Sequence, residues 1–195
     1  MTTRGAHVLD AVVRLVAHAP PEALSIRNVA REAGVSVAQV QYYFRTRDEL
    51  VLHAFEHVTA TLEAELQRVD RSGSPLEVLR RMILSWLPLD AARREAVQVW
   101  LAFTARAPAS ERLAAVAAQL DATLRRELAQ GLRDAQRAGQ VPAELDADRH
   151  AMLLLAVIDG LSTQALVGGA AVSAALEAAL DAQLALLSAT GGPSA

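Results

Sequence analysis

The stretch from residue 25 to residue 50 constrains the fold of this chain most strongly, because its small and apolar residues are spaced as in two short helices joined by a sharp turn. Ala30 is small at the position where the second helix would cross the first. Gly34 follows four residues later, where the backbone must adopt a conformation that a side chain disfavours. The apolar seam between the helices consists of Val29, Ala33, Val35 and Val40. The pattern predicts a helix-turn-helix unit.

The second helix of this predicted unit, from Val37 to Phe44, has one face left over once the seam has formed. In helix-turn-helix proteins the corresponding face enters the major groove of DNA and contacts base edges. We therefore expect the chain to bind double-stranded DNA through this helix.

The rest of the chain is divided into helices by capping and breaking residues. Three S/T-x-x-E/Q patterns begin at Ser36, Thr46 and Ser74, and such patterns are typical of helix starts because they satisfy free backbone N–H groups. No stretch shows the alternation of polar and apolar residues that a strand requires. The sequence predicts an all-α fold of about nine helices, near 6–18, 26–33, 37–43, 47–69, 75–87, 90–106, 110–138, 146–167 and 172–188, with a break at Gly168 and Gly169.

The predicted helices form an N-terminal three-helix head and a larger C-terminal helical body. We expect a helix-turn-helix domain at 1–50 and a second domain at 51–190. The helix that begins near residue 47 continues into the body without a linker, so a rigid element joins the two domains.

The chain as a whole is not basic, unlike many proteins that bind nucleic acids non-specifically. The net charge is −3, and all 19 basic residues are arginines. Residues 1–57 carry as many acidic as basic side chains. Non-specific DNA binding depends on basic side chains that neutralise phosphates. In this chain a few arginines placed close to the DNA must therefore supply the phosphate contacts. Arg27, Arg45 and Arg47 flank the two short helices, where phosphates would lie.

Two further features bear on cellular location and on metal binding. The chain has no cysteine, which excludes disulfides, thiolate metal sites and cysteine nucleophiles. The N-terminal residues show no secretory signal pattern. Residues 151–171 are long and apolar, but Asp159, Ser162, Thr163 and Gln164 interrupt them. We therefore expect a buried interface helix there, with no membrane partner, in a cytoplasmic protein.

These residues resemble the TetR family of transcriptional regulators, whose heads combine a small residue and a glycine at the turn, a Val-Ser cap, aromatics before a phenylalanine, and a basic residue opening the fourth helix. Here they are Ala30, Gly34, Val35–Ser36, Tyr42–Tyr43–Phe44 and Arg47. Residues 86–103 and 158–166 are similar to a BetI-type C-terminal domain. The chain departs from the family at Gln41, where tyrosine is common, and at Arg45 and Arg47, which replace proline and lysine.

The resemblance implies which side chains contact DNA. Bases are expected to meet Val37, Gln39, Gln41, Tyr42 and Tyr43. Ser36, Arg27 and Arg47 are expected to hold backbone phosphates. The glutamine at Gln41 can bond an adenine edge or a phosphate, so we expect an operator that differs from those of tyrosine-bearing relatives.

The resemblance also implies an effector site in the body, and the residue pattern of the last two predicted helices predicts a dimer interface there. The expected effector-binding residues are Met82, Trp86, Trp100 and Phe103, although scarce aromatics also pack in cores. A dimer is what a palindromic operator requires. Its expected interface residues are Met152, Asp159, Leu176, Leu180 and Leu184, on the last two predicted helices.

Our hypothesis is a homodimeric transcriptional repressor that a small-molecule effector releases from DNA, without a cofactor, a metal or catalysis. One alternative is a regulator of the same fold that responds to no ligand. A second is a zinc hydrolase, because His53, Glu56 and His57 match the H-x-x-E-H motif. A third is a helical module that binds protein instead of DNA.

Overall fold

The computed structural model describes residues 3–19 and 23–189, and this part of the chain is helical and contains no strand. The helices are α1 (Thr3–His18), α2 (Ile26–Glu32), α3 (Val37–Tyr43), α4 (Arg47–Leu66), α5 (Pro75–Trp86), α6 (Ala91–Arg106), α7 (Glu111–Arg137) and α8 (Ala147–Ala189). A 3₁₀ turn at Ala107–Ala109 joins α6 to α7. The all-α prediction is confirmed.

The predicted break at Gly168 and Gly169 is confirmed. α8 consists of two helices that meet at a kink at Gly169, where φ is 69° and ψ is −155°. A glycine tolerates this positive φ, so one residue redirects the chain between a first arm (147–168) and a second arm (170–189). A side chain on Gly168 would overlap Val172. With the arms counted separately, the described residues form about nine helices, as predicted.

The helices fall into two compact units. The first unit contains residues 1–64 and 94–117, and the second contains residues 65–93 and 118–195. The predicted boundary at residue 50 does not coincide with this division, because most of α4 and α6 belongs to the same unit as the first three helices.

The first unit places α2 against both α1 and α3. On one side, the side chain of His7 lies 3.0 Å from the carbonyl oxygen of Ala33. Arg14 Nε donates to Glu32 Oε1 at 2.9 Å. The interior of the unit is apolar and includes Val8, Val12, Val29, Val40, Leu50, Val51, Ala54, Val99, Phe103 and Leu113. Burial of these side chains, at about 25 cal/mol per Å², holds α3 in a fixed orientation.

The second unit is built on α5, the later part of α7, and α8. Its core includes Leu79, Ile83, Leu87, Leu128, Leu132, Leu154, Ile158, Leu176 and Leu180. At the surface, Arg80 donates to the carboxylate of Asp181 at 2.5 and 3.0 Å. This guanidinium hydrogen bond lowers the pKa of the Asp181 carboxyl. The contact attaches α5 to the second arm of α8.

The turn between α2 and α3 depends on Gly34, whose φ is +63°. The Val35 amide donates to the Ala30 carbonyl at 2.9 Å and the Gly34 amide donates to the Arg31 carbonyl at 3.3 Å. These two bonds form a Schellman motif, which ends a helix and requires a left-handed residue. The predicted role of Gly34 is confirmed.

We expect Gly34→Ala to lower the free energy of unfolding by about 1–2 kcal/mol, since a Cβ in the left-handed region is strained. No atom lies within 4 Å of an added Cβ, so the effect should come from backbone strain and not from a clash. Urea denaturation measures the change. Gly34→Asn is the control, because asparagine tolerates this conformation better; equal losses in both variants would contradict the strain argument.

Candidate functional site

The helix α3 presents a buried face and an exposed face. Val40 is fully buried and Phe44, its C-cap residue, is 5% exposed. On the other side, Tyr42 is 81% exposed and Val37 is 42% exposed. Gln41 is also exposed. The arrangement agrees with a helix that packs through one face and offers the other to a partner.

The remaining predicted contacts on α3 are less open. Ser36 is exposed, and its Oγ caps α3 by accepting the Gln39 amide at 3.2 Å. The Gln39 side chain is half-buried. Tyr43 is half-buried as well and meets Tyr42 edge-on, with the ring centroids 5.1 Å apart. Tyr43 is therefore partly used in supporting the more exposed Tyr42.

The start of α4 is fixed by a reciprocal capping box. The Glu49 amide donates to Thr46 Oγ1 at 3.1 Å, and the Thr46 amide donates to Glu49 Oε2 at 3.2 Å. The Arg45 amide donates to the same carboxylate oxygen at 2.5 Å. The Arg45 hydrogen bond is the largest influence lowering the pKa of Glu49. The box fixes the backbone from which Arg47 projects, as its sequence pattern predicts.

The two arginines predicted to hold phosphates differ in their surroundings. Arg27 is exposed on α2. Arg47 is half-buried, and its Nε and Nη2 atoms are buried without a hydrogen-bond partner among the described residues. Buried donors that lack an acceptor are destabilising. A phosphate oxygen is an acceptor that suits a guanidinium, but these two donors are enclosed by the protein, so Arg47 must change its side-chain conformation before they can bind a phosphate.

We expect Arg47→Met to raise the free energy of unfolding by about 1 kcal/mol while weakening DNA binding, because it removes orphaned donors together with a phosphate ligand. Urea denaturation and fluorescence anisotropy measure the two effects. Arg27→Met is the matched control, since its exposed side chain should affect binding alone. If Arg47→Met lowers stability, the orphaned donors are satisfied in solution and the reasoning fails.

The two histidines of the H-x-x-E-H motif on α4 lie against different carboxylates. His53 Nδ1 lies 2.9 Å from Glu56 Oε2, while His57 Nε2 lies 3.9 Å from Asp10 Oδ1 on α1. Each histidine is thus directed to a different carboxylate. Among the described residues, no group of three or more His, Cys, Asp or Glu side chains is arranged to hold a metal ion.

The aromatic residues predicted to bind an effector are distributed over the two units. In the first unit, Phe103 is fully buried and stacks on Phe55 with the ring centroids 4.0 Å apart. Trp100 is half-buried beside it, 6.1 Å from the Phe103 centroid. In the second unit, Met82 is 6% exposed and Trp86 is half-buried. Phe103 and Met82 are therefore core residues, and the two tryptophans retain some exposed surface.

One surface groove of about 530 Å³ lies in the second unit, outside the predicted effector site. It lies near the start of α5 and the end of α7, and it is lined by Arg71, Gly73, Pro75, Val78, Asp134, Arg137 and Ala138. Its lining includes none of the four residues predicted to bind an effector.

The second arm of α8 corrects the expectation for three interface residues. Leu176, Leu180 and Leu184 are 1%, 0% and 4% exposed, and they pack in the core of their own unit. Their apolar stripe is therefore used within the subunit, which leaves little of it for a second copy. The other two predicted interface residues are accessible: Met152 is 53% exposed, and Asp159 is exposed.

The first arm of α8 presents an exposed stripe that sequence analysis identified only in part. It consists of Met152, Leu153, Ala156, Asp159, Thr163 and Val167, of which Val167 is 85% exposed. These residues recur every three or four positions, which places them on one side of a helix. By length and composition, Ala147–Gly169 is apolar enough to span a membrane, with a mean hydropathy of 1.7. An exposed face of this kind, apolar apart from Asp159 and Thr163, also suits a contact between subunits.

Comparison with known families identifies both halves of the chain. Residues 8–54 match the family described as bacterial regulatory proteins of the tetR family. Residues 75–189 match the BetI-type transcriptional repressor C-terminal domain. The HTH-type transcriptional regulator BetI of Rhizobium meliloti (strain 1021) is 28% identical over 174 residues, covering 89% of this chain and 83% of that protein.

Solved structures share the fold over nearly the full length. A transcriptional regulator from Rhodococcus sp. Rha1 has a TM-score of 0.82 and 34% identity, and the match covers 95% of this chain and 96% of that one. A regulator from Saccharomonospora viridis, solved in complex with choline, has a TM-score of 0.82 and 24% identity, covering 91% and 93% of the two chains.

Proposed function

The chain belongs to the TetR family of bacterial transcriptional regulators, and on that premise we propose that it is a homodimeric repressor that leaves a palindromic operator when a small-molecule effector binds. Members of this family regulate transcription and are not enzymes, so the zinc-hydrolase alternative is set aside. Because the target is DNA, we expect the protein to act in the cytoplasm.

The observation that carries the DNA-binding part is the exposed face of α3. Tyr42, at 81% exposed, extends into solvent while Val40 on the opposite face is fully buried. The Schellman turn at Gly34 and the capping box at Thr46 hold the backbone on either side. Such a preorganised face suits insertion into a major groove, because little conformational freedom remains to be lost on binding.

The proposed dimer is supported by the exposed stripe on the first arm of α8. Two copies related by a twofold axis would cover this stripe with itself, since such an interface uses the same patch on both subunits. Ala156 and Thr163 are small enough to allow the two helices to approach closely. This interface replaces the one predicted around Leu176, Leu180 and Leu184.

The proposed effector acts by favouring one conformation over another. A ligand that binds more tightly to a form unable to bind DNA draws the population toward that form, and its effect is limited to this difference in affinity. The helix α4 begins four residues after α3 ends, so we expect a displacement of its first turn to move the DNA-binding helix. Choline in the Saccharomonospora viridis structure makes quaternary ammonium compounds the first class to test.

An electrophoretic mobility-shift assay on the DNA beside the gene tests the DNA-binding part. We expect a sequence-selective complex that weakens steeply with salt, because phosphate contacts release counterions. Tyr42→Ala should weaken the complex, and Arg126→Ala, a change at an exposed residue of the second unit, should leave it intact. Equal binding to unrelated DNA at all salt concentrations would contradict a regulator of specific genes.

A second titration separates repression by an effector from ligand-independent regulation. Choline is added to the preformed complex and the released fraction is measured. Release of DNA by choline supports quaternary ammonium compounds as the effector class. Release only by other small molecules would overturn that class but would retain the mechanism of release by an effector. If no compound from a metabolite library displaces DNA, the ligand-independent alternative is favoured.

A further inference from the structure

The exposed face of α3 carries no charge. The helix has the sequence VAQVQYY, so it contains neither arginine nor lysine. Its exposed residues are Val37, Ala38, Gln41 and Tyr42. Arginine and lysine make the most common specific contacts to guanine, through the O6 and N7 atoms. A recognition helix without either residue lacks that means of reading G·C base pairs.

Gln41 is the exposed side chain of α3 whose amide can both donate and accept. It makes no hydrogen bond with any residue in the described part of the chain, so its amide is free for a ligand. A glutamine amide matches the N6 and N7 atoms of adenine in the major groove, where it donates to N7 and accepts from N6. This pairing is not matched by guanine, which presents two acceptors.

Val37 lies one helical turn before Gln41 on the same exposed face. Its side chain is 42% exposed, and the neighbouring Ala38 is exposed too. Both side chains are apolar, and the group in the major groove that suits them is the thymine methyl. Four residues of helix rise by about 6 Å, which corresponds to about two base-pair steps.

We propose that α3 reads A·T base pairs in each half-site, with Gln41 bonded to an adenine and Val37 in contact with a thymine methyl within two base pairs of it. This inference rests on the proposed function, because it requires that α3 occupy a major groove. It goes further by naming the bases that are recognised and the side chains that recognise them.

The experiment uses single-atom changes in the DNA. The full chain first selects a duplex from a random library, and the selected sequence is then synthesised with 7-deazaadenine, which lacks N7, at each conserved adenine in turn. We expect one position in each half-site to weaken binding by about tenfold, the effect of losing one hydrogen bond. In Gln41→Ala, the same replacement should have no effect. Circular dichroism confirms that this exposed substitution leaves the fold intact.

A parallel series replaces each conserved thymine by uracil, which removes only the methyl group. We expect about a fourfold loss at the thymine next to Val37, from the lost apolar contact. Val37→Ala should reduce that loss. Gln119→Ala, which truncates an exposed glutamine of α7, is the matched control and should keep the sensitivity to 7-deazaadenine, while Gln39→Ala tests the half-buried glutamine on the same helix as Gln41.

The outcomes distinguish this inference from the proposed function. If the chain selects no sequence, the proposed function fails. If it selects a sequence whose α3 positions are G·C, or if Gln41→Ala remains as sensitive to 7-deazaadenine as the unmodified chain, the base assignment is overturned while the regulator stands. If the sensitivity to 7-deazaadenine disappears in Gln39→Ala and not in Gln41→Ala, Gln39 contacts the adenine. That result would also overturn the assignment.

Discussion

Replacing Ala156 with glutamate is expected to dissociate the dimer, raising its dissociation constant on the order of 100-fold or more, because an unpaired charge buried in an interface costs several kcal/mol. Ala156 lies in the exposed stripe between Met152 and Val167, one helical turn after Met152. The twofold axis would place two such charges in one interface. Since each monomer contacts a single half-site, affinity for a palindromic operator should fall as well.

Analytical ultracentrifugation measures the dimer dissociation constant of the Ala156→Glu variant. The matched control is Ala122→Glu, which makes the same chemical change at an exposed alanine of α7. We expect the control to remain dimeric. A dimeric Ala156→Glu variant with unchanged affinity would place the interface elsewhere, and dissociation of both variants would indicate a non-specific effect of charge.

Truncating Phe103 to alanine is expected to lower the free energy of unfolding by about 3–5 kcal/mol. The side chain is fully buried and stacks on Phe55 with the ring centroids 4.0 Å apart. Removal of the Phe103 ring therefore leaves a cavity that the surrounding side chains cannot fully fill. Such a loss is a large fraction of the stability of a typical domain. Urea denaturation at fixed protein concentration measures it.

Trp100→Ala is the control for Phe103, because its half-buried ring packs beside the same stack. We expect a smaller loss of stability from Trp100→Ala. If Trp100→Ala lowers the free energy of effector binding by more than it lowers the free energy of unfolding, the difference comes from the exposed part of the Trp100 ring. If Phe103→Ala is as stable as the unmodified chain, Phe103 is not a core residue and its predicted role in ligand binding regains support.

The head of this chain could be predicted from sequence because its constraints are local. Gly34 must adopt a positive φ, and Ser36 and Thr46 satisfy amide groups within the next three residues. These requirements act over a few bonds, so the spacing of residue types is sufficient to identify them. The exposure of Gln41 and Tyr42 then followed from the burial of Val40.

The faces of α8 could not be assigned in the same way. The second arm is rich in alanine and leucine, so apolar residues lie on more than one side and the pattern does not tell which side meets the subunit core. Leu176, Leu180 and Leu184 pack against their own unit. The exposed stripe of the first arm includes Val167, an apolar residue that is 85% exposed.

The effector site also depends on distant contacts. The spacing of Trp86, Trp100 and Phe103 does not indicate which of these rings is stacked in a core. Phe55, more than 40 residues before Phe103, covers one face of that ring. This partner lies on a different helix, so no local pattern identifies it.

Selection of a binding sequence from a random duplex library is the decisive measurement for a dimeric DNA-binding regulator. A twofold-symmetric dimer with one α3 in each of two major grooves should select an inverted repeat whose half-site centres are about 34–36 Å apart, or a similar whole-turn spacing. The purified full chain is used, and the Tyr42→Ala variant serves as the comparison. An enriched inverted repeat that Tyr42→Ala fails to select agrees with the account. No enrichment, or a single motif without a repeat, would contradict it.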